Sequence, residues 1–169
     1  MAYFEDLSPY SYSHSGVRPD TLNIGWLDKQ KPFPTGGIAE SGFAGIVSWI
    51  RRKPSPKVGV PKAFLEKLWP YCKLRVVQMR GFHVCEFCDL PNNPFPTYQF
   101  QDEEIKLGSA EIRIFGDDGK IFASPNLIFH YVRDHHYLPP ESFIQAVLSS
   151  PGPESQDYLN RLRALSLLK

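Results

Sequence analysis

Cys85 and Cys88 are separated by two residues in Gly81-Phe-His-Val-Cys-Glu-Phe-Cys88. A Cys-x2-Cys turn lets two thiolates face one metal ion. Further along, four residues separate His130 from His135, inside the gap that zinc-finger histidine pairs use. Together the two pairs would give zinc a four-ligand site of mixed sulfur and nitrogen. His83 is a rival ligand. His-x-Cys reaches one ion only with a twisted backbone, so we expect His83 to pack beside the site or support a ligand. His136 falls on a different helix face from His130 and is expected in solvent, although it is a stand-in for His135. The alternative to a metal is that the cysteines are buried thiols and the histidines surface residues.

A catalytic zinc usually keeps one position open for water, whereas two Cys and two His fill all four. The sequence also lacks the patterns of several zinc enzymes. None of its five histidines is followed by x-Glu, as a zinc deaminase requires, and His-Glu-x-x-His is absent. There is no Gly-x-Ser-x-Gly and no phosphate loop. A metal-dependent hydrolase or nuclease with an open zinc position is the alternative reading, with His83 and Glu86, or His136 and Asp134, as base and acidic partner. Asp134 or Glu111 could equally orient a ligand histidine.

The elements that must position these residues lie in a chain of 169 residues, a length suited to one domain over 1–169. Formal net charge is +1, so no global electrostatic footprint calls for nucleic acid or an anionic membrane. The local basic run Arg51-Arg52-Lys53, with Lys57, reads as a solvated loop among prolines. Met1 to Leu7 carries Glu5 and Asp6 and does not read as a signal peptide, and no apolar run approaches the roughly 20 residues of a span. The expected location is the cytoplasm, where thiols stay reduced. Cys72 is expected to be a buried, inert thiol. Sixteen prolines predict short elements and ordered loops that need an anchor.

Residues 1–35 read as an aromatic arm packed on the body, with a short strand within Thr21–Leu27. Residues 37–60 read as an inserted loop or short helix, with an apolar run from Phe43 to Ile50. A helix over 61–72 follows from the apolar stripe Phe64, Leu65, Leu68, Trp69 and Cys72, with Pro61 in its first turn and Pro70 capping or kinking its end. Leu74–Met79 and Tyr98–Phe100 read as strands. Ile105 to Phe115 alternates apolar and polar residues as a half-buried strand does, and Gly116-Asp-Asp-Gly119 turns it back into Lys120–Ala123. Ser124 and Pro125 look like the cap and first residue of a helix whose apolar face is Leu127, Ile128, Tyr131 and Val132. The five-residue step from His130 to His135 requires that helix to tighten or end between them. Pro139-Pro140 stops it. A second helix turns Phe143, Ile144, Val147 and Leu148 inward, and 154–168 forms a C-terminal helix.

The stretches Arg80-Gly-Phe-His-Val-Cys-Glu-Phe-Cys88, Leu107-Gly-Ser-Ala-Glu-Ile-Arg113 and His130-Tyr-Val-x-x-His135-x-Tyr137-x-Pro-Pro140-x-x-Phe143 resemble an uncharacterised family of small bacterial proteins, a domain of unknown function. Tyr3-Phe-x-Asp-Leu-Ser-Pro-Tyr10, Asn23-x-Gly-Trp-Leu-Asp28 and Phe33-Pro-Thr-Gly36 are similar to it too. The resemblance covers most of the chain outside roughly 37–60 and implies a bacterial, cytoplasmic origin.

The expectation is therefore an α+β fold. A zinc knuckle, a β-hairpin and a helix make a zinc-finger-like ββα core, with additional C-terminal helices and an aromatic N-terminal arm. Zn2+ is the expected cofactor, held by Cys85, Cys88, His130 and His135. The expected function is a non-enzymatic binding or interaction module. Its partner would be a protein, with neither nucleic acid nor membrane expected.

Overall fold

The Gly116–Gly119 turn closes a hairpin between β7 (Ala110–Phe115) and β8 (Ile121–Pro125), with Gly116 N donating to Lys120 O at 2.9 Å. The computed structural model describes residues 3–12, 18–39, 59–89 and 96–168. Around the hairpin it builds a four-stranded sheet. β1 (Thr21–Asn23) pairs parallel to β8, with Thr21 opposite Ile121. β4 (Val77–Gln78) pairs antiparallel to β7 on the other side, giving the order β1-β8-β7-β4. Two short ribbons stand apart from this sheet. β2 (Gly37–Ala39) lies parallel to β3 (Gly59–Pro61), and β5 (Thr97–Phe100) antiparallel to β6 (Glu103–Lys106). With α1 (Lys62–Leu74), α2 (Ile128–Asp134), α3 (Glu141–Ser149) and α4 (Gln156–Ala164), the fold is mixed α+β.

α1 and α3 bury apolar stripes on β7 of this sheet, α2 packs on α1, and α4 reaches β7 through Tyr158. Phe64, Leu65, Leu68, Trp69 and Cys72 of α1 are all buried, and burial pushes the Cys72 thiol far above its usual range. Pro70 sits inside α1 rather than ending it; the helix runs on to Leu74 and terminates at Arg75 in the left-handed region, φ 52°. An interior proline removes one helix hydrogen bond and crowds a carbonyl of the preceding turn, at a cost of about 3 kcal/mol, and the buried stripe of α1 offsets it. α3 buries Phe143, Ile144 and Val147, with Leu148 half-buried. In α4 the Ser155 hydroxyl caps the first turn by accepting from Tyr158 N at 3.2 Å.

Three expectations about strands change. β7 is buried on both faces, including Glu111 and Arg113, because the N-terminal arm covers the face expected to meet water. Tyr10 lays its hydroxyl on Glu111 and its ring 4.8 Å from the Arg113 guanidinium. The run from Ile105 to Phe115 is not one strand: it breaks between β6 and β7, where Gly108 takes φ 95°. A Cβ at Gly108 would lie 2.3 Å from the His83 carbonyl, so the crossing point admits only glycine. Finally, Ser124 and Pro125 do not start a helix. They complete β8 opposite Ile112 and Glu111, and α2 begins three residues past Pro125, at Ile128.

The arm is laced to the sheet by Tyr10 N→Thr21 O (2.8 Å) and Asn23 N→Ser8 O (2.9 Å), and Tyr10 and Trp26 pack on Ala123. The apolar run Phe43–Ile50 and the basic run Arg51-Arg52-Lys53 with Lys57 lie outside the described residues. Among the described residues, no helix is long and apolar enough to cross a membrane.

Candidate metal centre

The turn that carries Cys85 and Cys88 is fixed from both sides. His83 N donates to Gly108 O at 2.7 Å, and Gly108 N donates to the Asn126 side chain at 2.8 Å, which reaches on to Cys72 O. The cysteine turn is thereby tied to the segment just before β7. Phe87, between the cysteines, packs its ring on Phe33, Tyr131 and His135 at 5.2–5.8 Å between centroids. The helical side of the site comes from α2. His130 is in its interior and His135 is the residue that ends it, with φ −109° and ψ 5°. On a continued helix, residues five apart point about 140° away from each other. Ending the helix at Asp134 lets His135 swing back beside His130.

The four side chains converge. The Cys85 and Cys88 Sγ atoms and one ring nitrogen each of His130 and His135 lie within 4.8 Å of one another. His135 Nε2 is 3.2 Å from both sulfurs, His130 Nε2 is 3.2 Å from Cys88 Sγ, and the two Nε2 atoms are 3.1 Å apart. In a tetrahedral zinc site with usual bond lengths, donor atoms are separated by about 3.3–3.8 Å. These four distances are slightly shorter than in that polyhedron, and with all donors within 4.8 Å of one another the set could hold such an ion. The group could hold a metal ion, and these are the four residues expected to meet. The ring geometry also favours a cation. His130 Nδ1 is 2.6 Å from Asp134 Oδ2 while its Nε2 is turned to the cluster, the arrangement in which a carboxylate orients a ligand histidine. Burial pushes the Cys85 thiol up to about 12, with the adjacent Cys88 adding a smaller push. Burial, then the neighbouring His130, pulls the His135 imidazole down. A metal binding here would have to displace thiol protons.

Residues 2–53 and 43–148 match the model of a family described as "Domain of unknown function (DUF7919)". The chain belongs to that family. No curated protein and no solved structure matches it. In this DUF7919 chain all four converging donors lie inside the matched stretch 43–148.

A carboxylate orients the cluster from outside, as the histidine-bound acids of metal sites do. Burial would raise the Asp134 carboxyl, but bonds from His130 and Arg133 outweigh it and hold the group well below the usual carboxylate range. Arg133 grips both Asp134 oxygens at 2.7 and 2.8 Å and donates a third bond to Gln99 O, linking the site to β5. Tyr98 of the same strand sets its ring 4.7 Å from His130. Asp134→Asn is expected to weaken metal affinity about 10–100-fold while the metal-loaded protein stays folded. Competition against a chromophoric chelator checks this, and an unchanged affinity would remove Asp134 from the site.

Other sequence candidates lie elsewhere. His83 is outside the converging group, and its Nε2 is buried with no hydrogen-bond partner among the described residues. His136 is exposed, at φ 56°, and uses its carbonyl to accept from Gly36 N. Glu111 serves Tyr10 and Arg113 instead of a ligand histidine. Sequence reasoning did not single out Arg133 or Tyr98. Arg133 had a signal, its place beside an Asp four residues after a helical histidine. Tyr98 had none, because its proximity depends on how the β5–β6 ribbon docks.

Proposed function

We propose that Cys85, Cys88, His130 and His135 hold one zinc ion in a closed structural site. The chain is then a non-enzymatic binding or interaction module whose partner is a protein. The reading rests on one observation, the convergence of two sulfurs and two Nε2 atoms at tetrahedral-like spacing. Four protein donors leave no position for a reacting water. Zinc suits this mixture of soft sulfur and imidazole better than an oxygen-seeking cation does. On this reading the ion fastens segments 42 and 50 residues apart in sequence. The cysteine turn, the β7–β8 hairpin and α2 act as a zinc-finger-like ββα core. Three cysteines free of disulfides suit a reducing cytoplasm, and the sequence resemblance points to a bacterium.

Protein purified without added metal should contain about one zinc per chain. X-ray absorption at the zinc edge should report two sulfur and two nitrogen neighbours. A folded protein free of metal would overturn the reading. An oxygen in place of one ligand would favour a metal-dependent hydrolase or nuclease.

A further inference from the structure

His83 belongs to the same sequence motif as the cysteines, yet it faces a different feature. It lines a cleft of about 110 Å³ together with Tyr12, Trp26, Arg80, Phe82 and Glu111. The floor is deep, with Trp26 and Glu111 3% and 1% exposed. The rim is open: Tyr12 and Phe82 are 39% and 41% exposed, and Arg80 is exposed. Tyr12 and Trp26 stand 4.7 Å apart and tilted by 45°, so the cleft has aromatic walls. At about 110 Å³ the cleft is smaller than the roughly 150 Å³ cavity that encloses benzene, so a flat ring would seat only in part, with its remainder in the open mouth.

Charge and polarity narrow the class of occupant. A carboxylate on an aromatic floor would ordinarily call for a cation. Here Glu111 is already committed, because it accepts from Tyr10 Oη at 2.8 and 3.0 Å and from Arg113 at 2.7 Å. Arg80 makes no ion pair among the described residues. The unspent charge at the mouth is therefore positive. His83 Nε2 is buried beside the cleft and has no hydrogen-bond partner among the described residues.

We propose that this cleft binds a small aromatic acid, one planar ring system bearing a carboxylate or phosphate. The ring lies against Tyr12 and Phe82 over the Trp26 floor, and its anionic group pairs with Arg80. The site is independent of the metal reading, since none of its lining residues belongs to the converging group.

Isothermal titration of the full chain tests this with two acids, indole-3-acetate and AMP. Tryptamine carries a similar ring with a cation and serves as the contrast. At least one acid is expected to bind about tenfold or more tightly than tryptamine. Arg80→Glu should reverse that order, and Phe82→Ala should weaken the acid about tenfold. Both positions are exposed, and circular dichroism confirms that the variants keep their fold. Binding of indole-3-acetate alone supports a carboxylate source, and of AMP alone a nucleotide source. No acid binding up to about 10 mM, a preference for tryptamine in the unaltered protein, or indifference to Arg80→Glu would each overturn the proposal.

Discussion

Cys85→Ser is expected to unfold the protein at physiological temperature, and stripping the metal with a chelator is expected to do the same. Structural zinc contributes an apparent free energy of about 10–16 kcal/mol, while a domain's whole stability is about 5–15 kcal/mol. A serine hydroxyl is a poor zinc ligand, and Cys85 is 2% exposed, so no water easily takes its place. Thermal melts with and without chelator, followed by zinc add-back, give the answer. A melting midpoint indifferent to the chelator contradicts the structural role. Cys88→Ser should cost less, since Cys88 is only half-buried and water can substitute there.

The second large effect lies away from the four converging donors. Glu111→Ala alone is expected to destabilise the protein by about 3–5 kcal/mol, because it strands the Arg113 guanidinium in the core. Arg113 is 0% exposed, and its Nε and one terminal nitrogen have no hydrogen-bond partner, so Glu111 is its principal source of compensation. Each 1 kcal/mol moves the melting midpoint of a chain this size by about 2–4 °C. Replacing both residues together, as Glu111→Leu with Arg113→Met, should recover most of the loss, since apolar groups of similar volume fill such a site without a charge to compensate. A double-mutant cycle measures the coupling. A double variant no better than the single would mean that shape, not charge, governs this part of the core.

The four converging side chains were legible in the sequence because metal ligation restricts residue type and spacing far more than packing does. Cys-x2-Cys is a local geometric requirement, and the need for α2 to tighten or end between His130 and His135 followed from helix periodicity alone. The helical stripes of α1 and α3 were legible for the same reason, a short-range repeat. Long-range cover was not legible. Nothing near β7 announces that Tyr10, 101 residues away, will close over Glu111. A strand that alternates apolar and charged residues reads as half-exposed until its covering segment is known. Ser124-Pro125 carries a helix-start signature, but pairing with Glu111 and Ile112 wins over it. The break between β6 and β7 had one faint marker, Gly108, whose necessity comes from the His83 backbone pressed against it.

The parallel pairing of β1 with β8 carries a consequence for how fast this protein can form. Thr21 must wait for Ile121 before its strand has a partner in the sheet. At about 5–20 residues per second, synthesis alone separates the two by roughly 5–20 s. During that interval Phe4, Tyr10 and Trp26 have no Ala123 or Arg113 to rest on, and their rings stay wet and sticky. Contacts this distant in sequence also place refolding on the slow side, in milliseconds to seconds rather than microseconds. The arm that carries Phe4, Tyr10 and Trp26 is therefore open to chaperones and to misassociation between nascent chains until β8 emerges.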